Sequence, residues 1–141
     1  MTVRVERTFD LDASPEEVWA FISDPRKRAA PISVVDEFEE TGEGTAVWHV
    51  KLPIPLLKRT ASIETEETDV RPPEYVRFVG RSKVMRVVGE HELTPHGDGT
   101  RLTNRFTVDG KLPGVEKYFE RNLDGELDNL EDALRRDLAT A

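Results

Sequence analysis

Residues 115–141 read VEKYFERNLDGELDNLEDALRRDLATA, and this stretch decides the fold of the chain. Its apolar residues recur at intervals of three and four, at Val115, Phe119, Leu123, Leu127, Leu130, Leu134 and Leu138. This spacing places them on one face of a single long helix. An apolar face of this length must be buried against another element of the fold.

The only large apolar surface left for this helix is one face of the strands that precede it. Alternating apolar and polar residues predict strands at 2–10, 33–40, 45–52, 58–69, 74–80, 83–94 and 100–109. Short joints rich in glycine and proline separate the last six, which indicates an antiparallel meander. A short helix at 15–23 begins with Ser14 as N-cap and Pro15 at its first position. We therefore expect an α+β fold in which a curved, seven-stranded antiparallel sheet wraps around the C-terminal helix.

Length and charge narrow the class of protein. With 141 residues, the chain is expected to form one domain over residues 1–141. The net charge of -8 and the dispersed basic residues argue against nucleic acid as a partner. The one basic cluster, at residues 26–28 beside Pro25, is expected to form a solvated turn rather than an anion site. The absence of cysteine excludes disulfides, a thiol nucleophile and thiolate metal sites.

Hydropathy gives an expectation about location. No apolar run approaches the roughly 20 residues needed to span a bilayer. The first residues alternate as a strand and do not resemble a signal segment. We therefore expect a cytoplasmic protein without a transmembrane segment.

The same alternation predicts which side chains line a cavity between the sheet and the long helix. The predicted ligand-binding set comprises Trp48, Val50, Ile63, Phe78, Met85, Val87, His91, Asn104 and Phe106 on the strands, and Phe119 and Leu123 on the helix. This lining is almost entirely apolar. In such a cavity a few placed polar groups fix the orientation of a ligand.

His91 and Asn104 are the polar candidates in this set. His91 is the candidate catalytic residue because imidazole titrates near neutral pH, although it could equally be a structural hydrogen-bonding group. Asn104 could hold a ligand carbonyl or pair with His91 across adjacent strands. Arg7, also on the inward face, could meet a ligand carboxylate or pair with a surface acid. The three histidines fall on different elements, so we expect no metal site and no cofactor.

Three segments give the chain a family resemblance. They are the opening strand with residues 12–25 (DASPEEVWAFISDP), the segment from Gly89 through Leu102, and the C-terminal helix. Together they resemble the START-like (SRPBCC) superfamily, which includes polyketide cyclase/dehydrase-type proteins and the carbon monoxide dehydrogenase G family. The resemblance implies the helix-grip fold. It leaves function open, since superfamily members bind lipids, carry ligands, cyclise polyketides or assist other proteins.

Three functions remain open at this point. The first is binding of a small, largely apolar ligand, such as a lipid or polyketide-like molecule, through a mouth near residues 53–57. The second is a cyclase or dehydratase in which His91, oriented by Asn104, moves a proton. The third, implied by the resemblance to the carbon monoxide dehydrogenase G family, is an accessory protein of an enzyme or membrane-associated assembly. A protein partner or a homodimer is compatible with each of them.

Overall fold

A computed structural model of the chain describes residues 2–55 and 59–139. Three helices and seven strands follow one another as β1 (Thr2–Leu11), α1 (Pro15–Ile22), α2 (Pro25–Ala29), β2 (Val35–Gly42), β3 (Thr45–Val50), β4 (Ala61–Arg71), β5 (Tyr75–Arg81), β6 (Met85–His96), β7 (Gly99–Gly110) and α3 (Val115–Ala139). The predicted α+β class, strand number and long terminal helix are confirmed. The predicted start of the fourth strand, at residue 58, lies outside the described residues. None of the described helices is long and apolar enough to cross a membrane.

All seven strands form one antiparallel sheet in the order β1-β7-β6-β5-β4-β3-β2. The strands from β2 to β7 are neighbours in sequence order, as the short joints predicted. The first strand pairs instead with the last, from Thr2 opposite Asp109 to Leu11 opposite Thr100. This arrangement leaves β1 and β2 at the two edges of the sheet.

Helix α3 packs its apolar stripe against the sheet through two clusters of buried side chains. The cluster at its N-terminal half joins Val115, Phe119 and Leu123 to β1 and to strands β3 to β7. The cluster at its C-terminal half joins Leu127, Leu130 and Leu134 to α1 and to strands β1, β6 and β7. The two clusters meet along α3, and the backbone of this helix lies nearest to β1 and β7.

The ion pairs of Arg7 fix the same helix to the edge strand. The guanidinium of Arg7 lies 2.7 Å from Asp128 Oδ1 and donates a hydrogen bond of 3.2 Å to the carbonyl of Asp124. These contacts raise the pKa of Arg7, mainly through its hydrogen bond with Asp128. Arg7 is therefore a link between β1 and α3.

Local sequence signals fix the two short helices. In α1, Ser14 Oγ accepts a hydrogen bond from the backbone of Glu17, and the Glu17 carboxylate accepts one from the backbone of Ser14. Helix α1 buries the side chains of Val18, Phe21 and Ile22 and closes one end of the sheet. Helix α2 begins at Pro25, where Asp24 accepts hydrogen bonds from the next backbone N–H groups.

Gly89 in β6 provides space that no other residue could provide. A Cβ at this position would overlap Cε1 of Phe78, lie 2.5 Å from its Cζ and lie 3.1 Å from Cε1 of Phe106. The missing side chain therefore allows the Phe78 ring to lie against Gly89. This places the ring beside His91, with 6.3 Å between the two ring centroids.

We predict that Gly89→Ala lowers the free energy of unfolding by about 1–3 kcal/mol, because the added methyl group overpacks the Phe78 ring. Gly125→Ala is the matched control, since a Cβ there meets nothing within 4 Å and the residue is exposed in α3. It should raise stability by about 0.5–1 kcal/mol. Urea denaturation measures both changes. Equal effects of the two substitutions would mean that the Phe78 ring does not need Gly89.

Candidate functional site

A cavity of about 50 Å³ lies between the sheet and the middle of α3. It is lined by every residue of the predicted ligand-binding set except Asn104, namely by Trp48, Val50, Ile63, Phe78, Met85, Val87, His91 and Phe106 from the sheet and by Phe119 and Leu123 from α3. Leu127 and Leu130 extend this wall along the helix. The structure thus brings the predicted set together in one place. Its role in ligand binding stays a prediction.

Asn104 lies behind His91 on the neighbouring strand and orients its ring. His91 and Asn104 face each other in the pairing of β6 with β7, with 2.7 Å between His91 Nδ1 and Asn104 Oδ1. Asn104 Nδ2 donates to the backbone carbonyl of Arg7 at 3.2 Å, so Oδ1 is the acceptor that faces the ring. This network assigns the proton to His91 Nδ1 and leaves Nε2 as an acceptor. Of the two alternatives for Asn104, the structure shows the pair with His91.

His91 is neutral in the folded protein. Its side chain is buried, and burial together with the nearby Arg28 charge lowers its pKa from 6.5 to about 3. The hydrogen bond with Asn104 opposes this shift only in part. The ring is packed between aromatic neighbours, with its centroid 5.6 Å from that of Phe106.

Arg28 also lines the cavity, which the sequence did not indicate. The expected solvated turn at residues 26–28 is wrong for Arg28, because α2 turns this residue toward the core and only 6% of it is exposed. Its Nη1 donates to the carbonyl of Ile22 at 2.9 Å, and Glu67 Oε2 lies 3.5 Å away. Its Cζ lies 5.3 Å from the centre of the Phe78 ring. Burial lowers the pKa of Arg28 and Glu67 opposes the shift, but an arginine stays charged at neutral pH.

Glu126 is the second polar lining residue that sequence analysis missed. Its carboxylate accepts hydrogen bonds from Ser33 N at 3.1 Å, Ser33 Oγ at 2.9 Å and Asn129 Nδ2 at 3.0 Å. The helical spacing was a usable signal, because Glu126 lies three residues after Leu123 and four before Leu130. A charged residue within the apolar stripe therefore pointed to a buried carboxylate.

The bonds of Glu126 hold residues 30–34, which we call the cover segment, against α3. Ile32 and Val34 from this segment line the cavity and are partly exposed. The mouth was expected instead near residues 53–57. There, Leu52 and Ile54 are buried in the core cluster of Val115 rather than in the cavity wall, and residues 56 and 57 lie outside the described residues.

A group of potential metal ligands lies on the opposite face of the sheet. Glu37, Glu39 and His49 bring their ligand atoms within 4.8 Å of one another. Both carboxylates are exposed, and His49 also contacts Ser62 Oγ at 3.3 Å. Exposed acidic groups commonly lie this close without a metal ion. The group has no connection to the cavity, and the absence of a metal site stays a prediction.

Comparison with known proteins gives a family match over almost the whole chain. The family described as polyketide cyclase / dehydrase and lipid transport matches residues 2–135. A comparison with curated proteins found no match.

Solved structures resemble the chain over nearly its full length. A conserved protein from Geobacillus kaustophilus is 20% identical, with a TM-score of 0.77 and coverage of 98% of this chain and 96% of that one. A START superfamily protein from Mycobacterium smegmatis is 15% identical, with a TM-score of 0.74 and 97% of each chain covered. The Zhui aromatase/cyclase from Streptomyces sp. R1128 is 19% identical, with a TM-score of 0.69 and 96% of each chain covered. At these identities the likeness shows a shared fold.

The burial of His91 predicts a specific pH dependence of stability. The unfolded chain binds one more proton than the folded chain between pH 6.5 and about 3. The free energy of unfolding is therefore unaffected by the titration of His91 above pH 6.5, and it decreases as the pH falls below that value. We predict that His91→Asn, which keeps an amide donor for Asn104 but cannot titrate, loses less stability than the wild type between pH 7 and pH 4.5. The difference should be about 1–3 kcal/mol, measured by urea denaturation.

Val76→Ala is the control for this measurement. Val76 is buried directly opposite His91 in β5, so its truncation lowers stability without removing a titrating group. Its unfolding free energy should fall with pH in parallel with that of the wild type. If the unfolding free energy of His91→Asn also falls with pH in parallel with that of the wild type, His91 is not buried in its neutral form.

Proposed function

The chain belongs to the polyketide cyclase / dehydrase and lipid transport family of the START-like superfamily, and from this premise we propose that it binds a small, largely apolar molecule in the cavity under α3. The observation that carries the proposal is the lining of this cavity. Aromatic and aliphatic side chains from six strands, the cover segment and one long helix form its wall, with Arg28, His91 and Glu126 as isolated polar groups. Ligand sites commonly combine an apolar wall with a few convergent polar groups.

The volume of the cavity is too small for a ligand, which indicates that this structure is the closed form of the site. A volume of about 50 Å³ holds only a few water molecules, since one water needs at least about 10–15 Å³. Pockets for small-molecule ligands usually measure about 300–1,000 Å³. A ligand therefore has to displace part of the wall as it enters.

The cover segment is the part of the wall best suited to move. It belongs to neither a strand nor a helix, and its side chains Ile32 and Val34 are only partly buried. The two hydrogen bonds from Ser33 to Glu126 attach it to α3. Breaking two such bonds costs about 1–3 kcal/mol. Burial of ~200 Å² of apolar ligand surface contributes roughly 5 kcal/mol, which exceeds that cost.

The chemistry of His91 favours binding over proton transfer. General acid–base catalysis is most efficient when the pKa of the group lies near the working pH. With a pKa of about 3, His91 is a weak base at neutral pH. Its orienting partner is the neutral amide of Asn104 and not a carboxylate that would stabilise the protonated ring. A hydrogen-bonding role fits this environment better.

The described surface offers little support for an accessory protein that docks through an apolar face. Among the residues that the structure describes, Val70 is the one large apolar side chain that is exposed, at 45%. Apolar docking surfaces are usually contiguous patches and not single residues. The ligand-binding proposal therefore has the stronger observation behind it.

We predict that the purified protein binds N-phenyl-1-naphthylamine, a neutral apolar dye, and that its fluorescence rises on binding. Leu123→Phe should weaken this binding at least tenfold, because the larger ring extends into the cavity from α3. Its unfolding free energy should change by less than about 2 kcal/mol, since a modest enlargement into a void is tolerated. Fluorescence titration and urea denaturation give the two quantities.

Val70→Phe is the matched control, because it adds a ring to an exposed aliphatic position on β4. It should bind the dye as the wild type does. Absence of dye binding by the wild type, or equal binding by Leu123→Phe, would count against a ligand site under α3.

A further inference from the structure

Three polar atoms in the cavity wall have no hydrogen-bond partner within the described part of the chain. They are Arg28 Nε, Trp48 Nε1 and His91 Nε2, and all three are buried. Each belongs to a side chain that lines the cavity. A buried polar atom without a partner is destabilising, so three together on one wall require an explanation.

The three side chains are grouped around a single aromatic ring. The ring of Phe78 lies 5.6 Å from that of Trp48 and 6.3 Å from that of His91, measured between centroids. The guanidinium carbon of Arg28 lies 5.3 Å from the same ring centre. All three side chains therefore lie around one ring of the cavity wall.

The three atoms differ in the type of hydrogen-bonding group that they require as a partner. The N–H groups of Trp48 Nε1 and Arg28 Nε can only donate. His91 Nε2 can only accept, because the proton of the neutral ring is on Nδ1, where it is donated to Asn104. A complementary molecule presents an acceptor oxygen to the first two atoms and a hydroxyl O–H to the third.

The charges around the cavity disfavour an anion as this molecule. Arg28 already faces the carboxylate of Glu67, with 3.5 Å between Nη2 and Oε2. Glu126 on the α3 side accepts its hydrogen bonds from the neutral groups of Ser33 and Asn129. A ligand carboxylate would add a further negative charge to this buried site, where opposite charges are needed for compensation.

We propose that Arg28, Trp48 and His91 form a polar recognition site for a neutral ligand that carries both a carbonyl oxygen and a hydroxyl group on an apolar body. The carbonyl oxygen accepts hydrogen bonds from Trp48 and Arg28, and the hydroxyl donates to His91 Nε2. The site discriminates against carboxylates such as free fatty acids. This inference rests on the proposed function, because it assigns the polar contacts of the same cavity.

Displacement of N-phenyl-1-naphthylamine by a matched series of probes tests the inference. The series consists of 6-hydroxy-2-acetylnaphthalene, 2-acetylnaphthalene without the hydroxyl, 2-naphthol without the carbonyl, and the anion 6-hydroxy-2-naphthoate. We expect 6-hydroxy-2-acetylnaphthalene to bind the wild type about 5–10-fold more tightly than either probe with one oxygen group, as one extra hydrogen bond predicts. The anion should bind at least tenfold more weakly than the neutral ketone of the same size.

Two variants assign the preferences to residues. His91→Asn removes Nε2 and should reduce the hydroxyl preference to less than about twofold, while the carbonyl preference remains. Trp48→Phe keeps a ring but removes the N–H group, and should reduce the carbonyl preference. The control His49→Asn makes the same change as the first variant on the outer face of the sheet, beside Trp48 in sequence, and should leave both preferences unchanged. Thermal unfolding checks that each variant is folded.

The outcomes separate this inference from the proposed function. If the wild type binds neither the dye nor any neutral probe, both fail. If the wild type binds all the neutral probes with equal affinity, the proposed ligand site is supported and the proposed recognition site is overturned. Tighter binding of the anion than of its neutral counterpart also overturns the inference, and would indicate that Arg28 recognises a carboxylate. These comparisons within the wild type need no variant to fold.

Discussion

The contact between the apolar stripe of α3 and the inner face of the sheet determines the rest of this structure. Phe119 and Leu123 belong to one core cluster and Leu127 and Leu130 to the other, so the helix joins the two halves of the core. The cavity lies where those halves meet. Its wall is therefore made of the same side chains that hold the helix in place, and a change that enlarges the cavity also weakens the attachment of α3.

The polar groups of the cavity stand in contrast to this apolar packing. Burying His91 and Arg28 costs free energy, and their neighbours compensate only part of it through Asn104, Ile22 and Glu67. A core optimised for stability alone would have apolar side chains at these positions. The sheet holds His91 in a fixed position nonetheless, because strand pairing places Asn104 opposite it and Gly89 makes room for the Phe78 ring beside it. The structure thus retains a few polar groups within a mostly apolar wall.

Sequence periodicity predicted both the fold and most of the cavity wall, because it shows which face of each strand or helix is buried. Alternation along a strand decides which face is buried, so Phe78, Val87 and Phe106 were assigned correctly to the inner face. It also placed His91 and Asn104 on adjacent strands, although not their register. Arg28 could not be found in this way, because a five-residue helix has no period to read and the orientation of Arg28 depends on how α2 meets the sheet. The volume of the cavity was equally out of reach, since it depends on side-chain packing between elements distant in sequence.

The pairing of β1 with β7 has a consequence for how this protein is made. Thr2 and Asp109 are hydrogen-bonded across a separation of 107 residues, so the first strand of this sheet has to wait for the last strand of the sheet. At a synthesis rate of about 5–20 residues per second, β1 remains without its partner for roughly 5–20 s. During this time the meander from β2 to β6 is able to form from local contacts, while the hydrophobic residues of β1 remain exposed to solvent. Completion of the sheet, and with it the closure of the core by α3, therefore has to wait until β7 and α3 have been synthesised, and assistance by a chaperone would matter most before that stage.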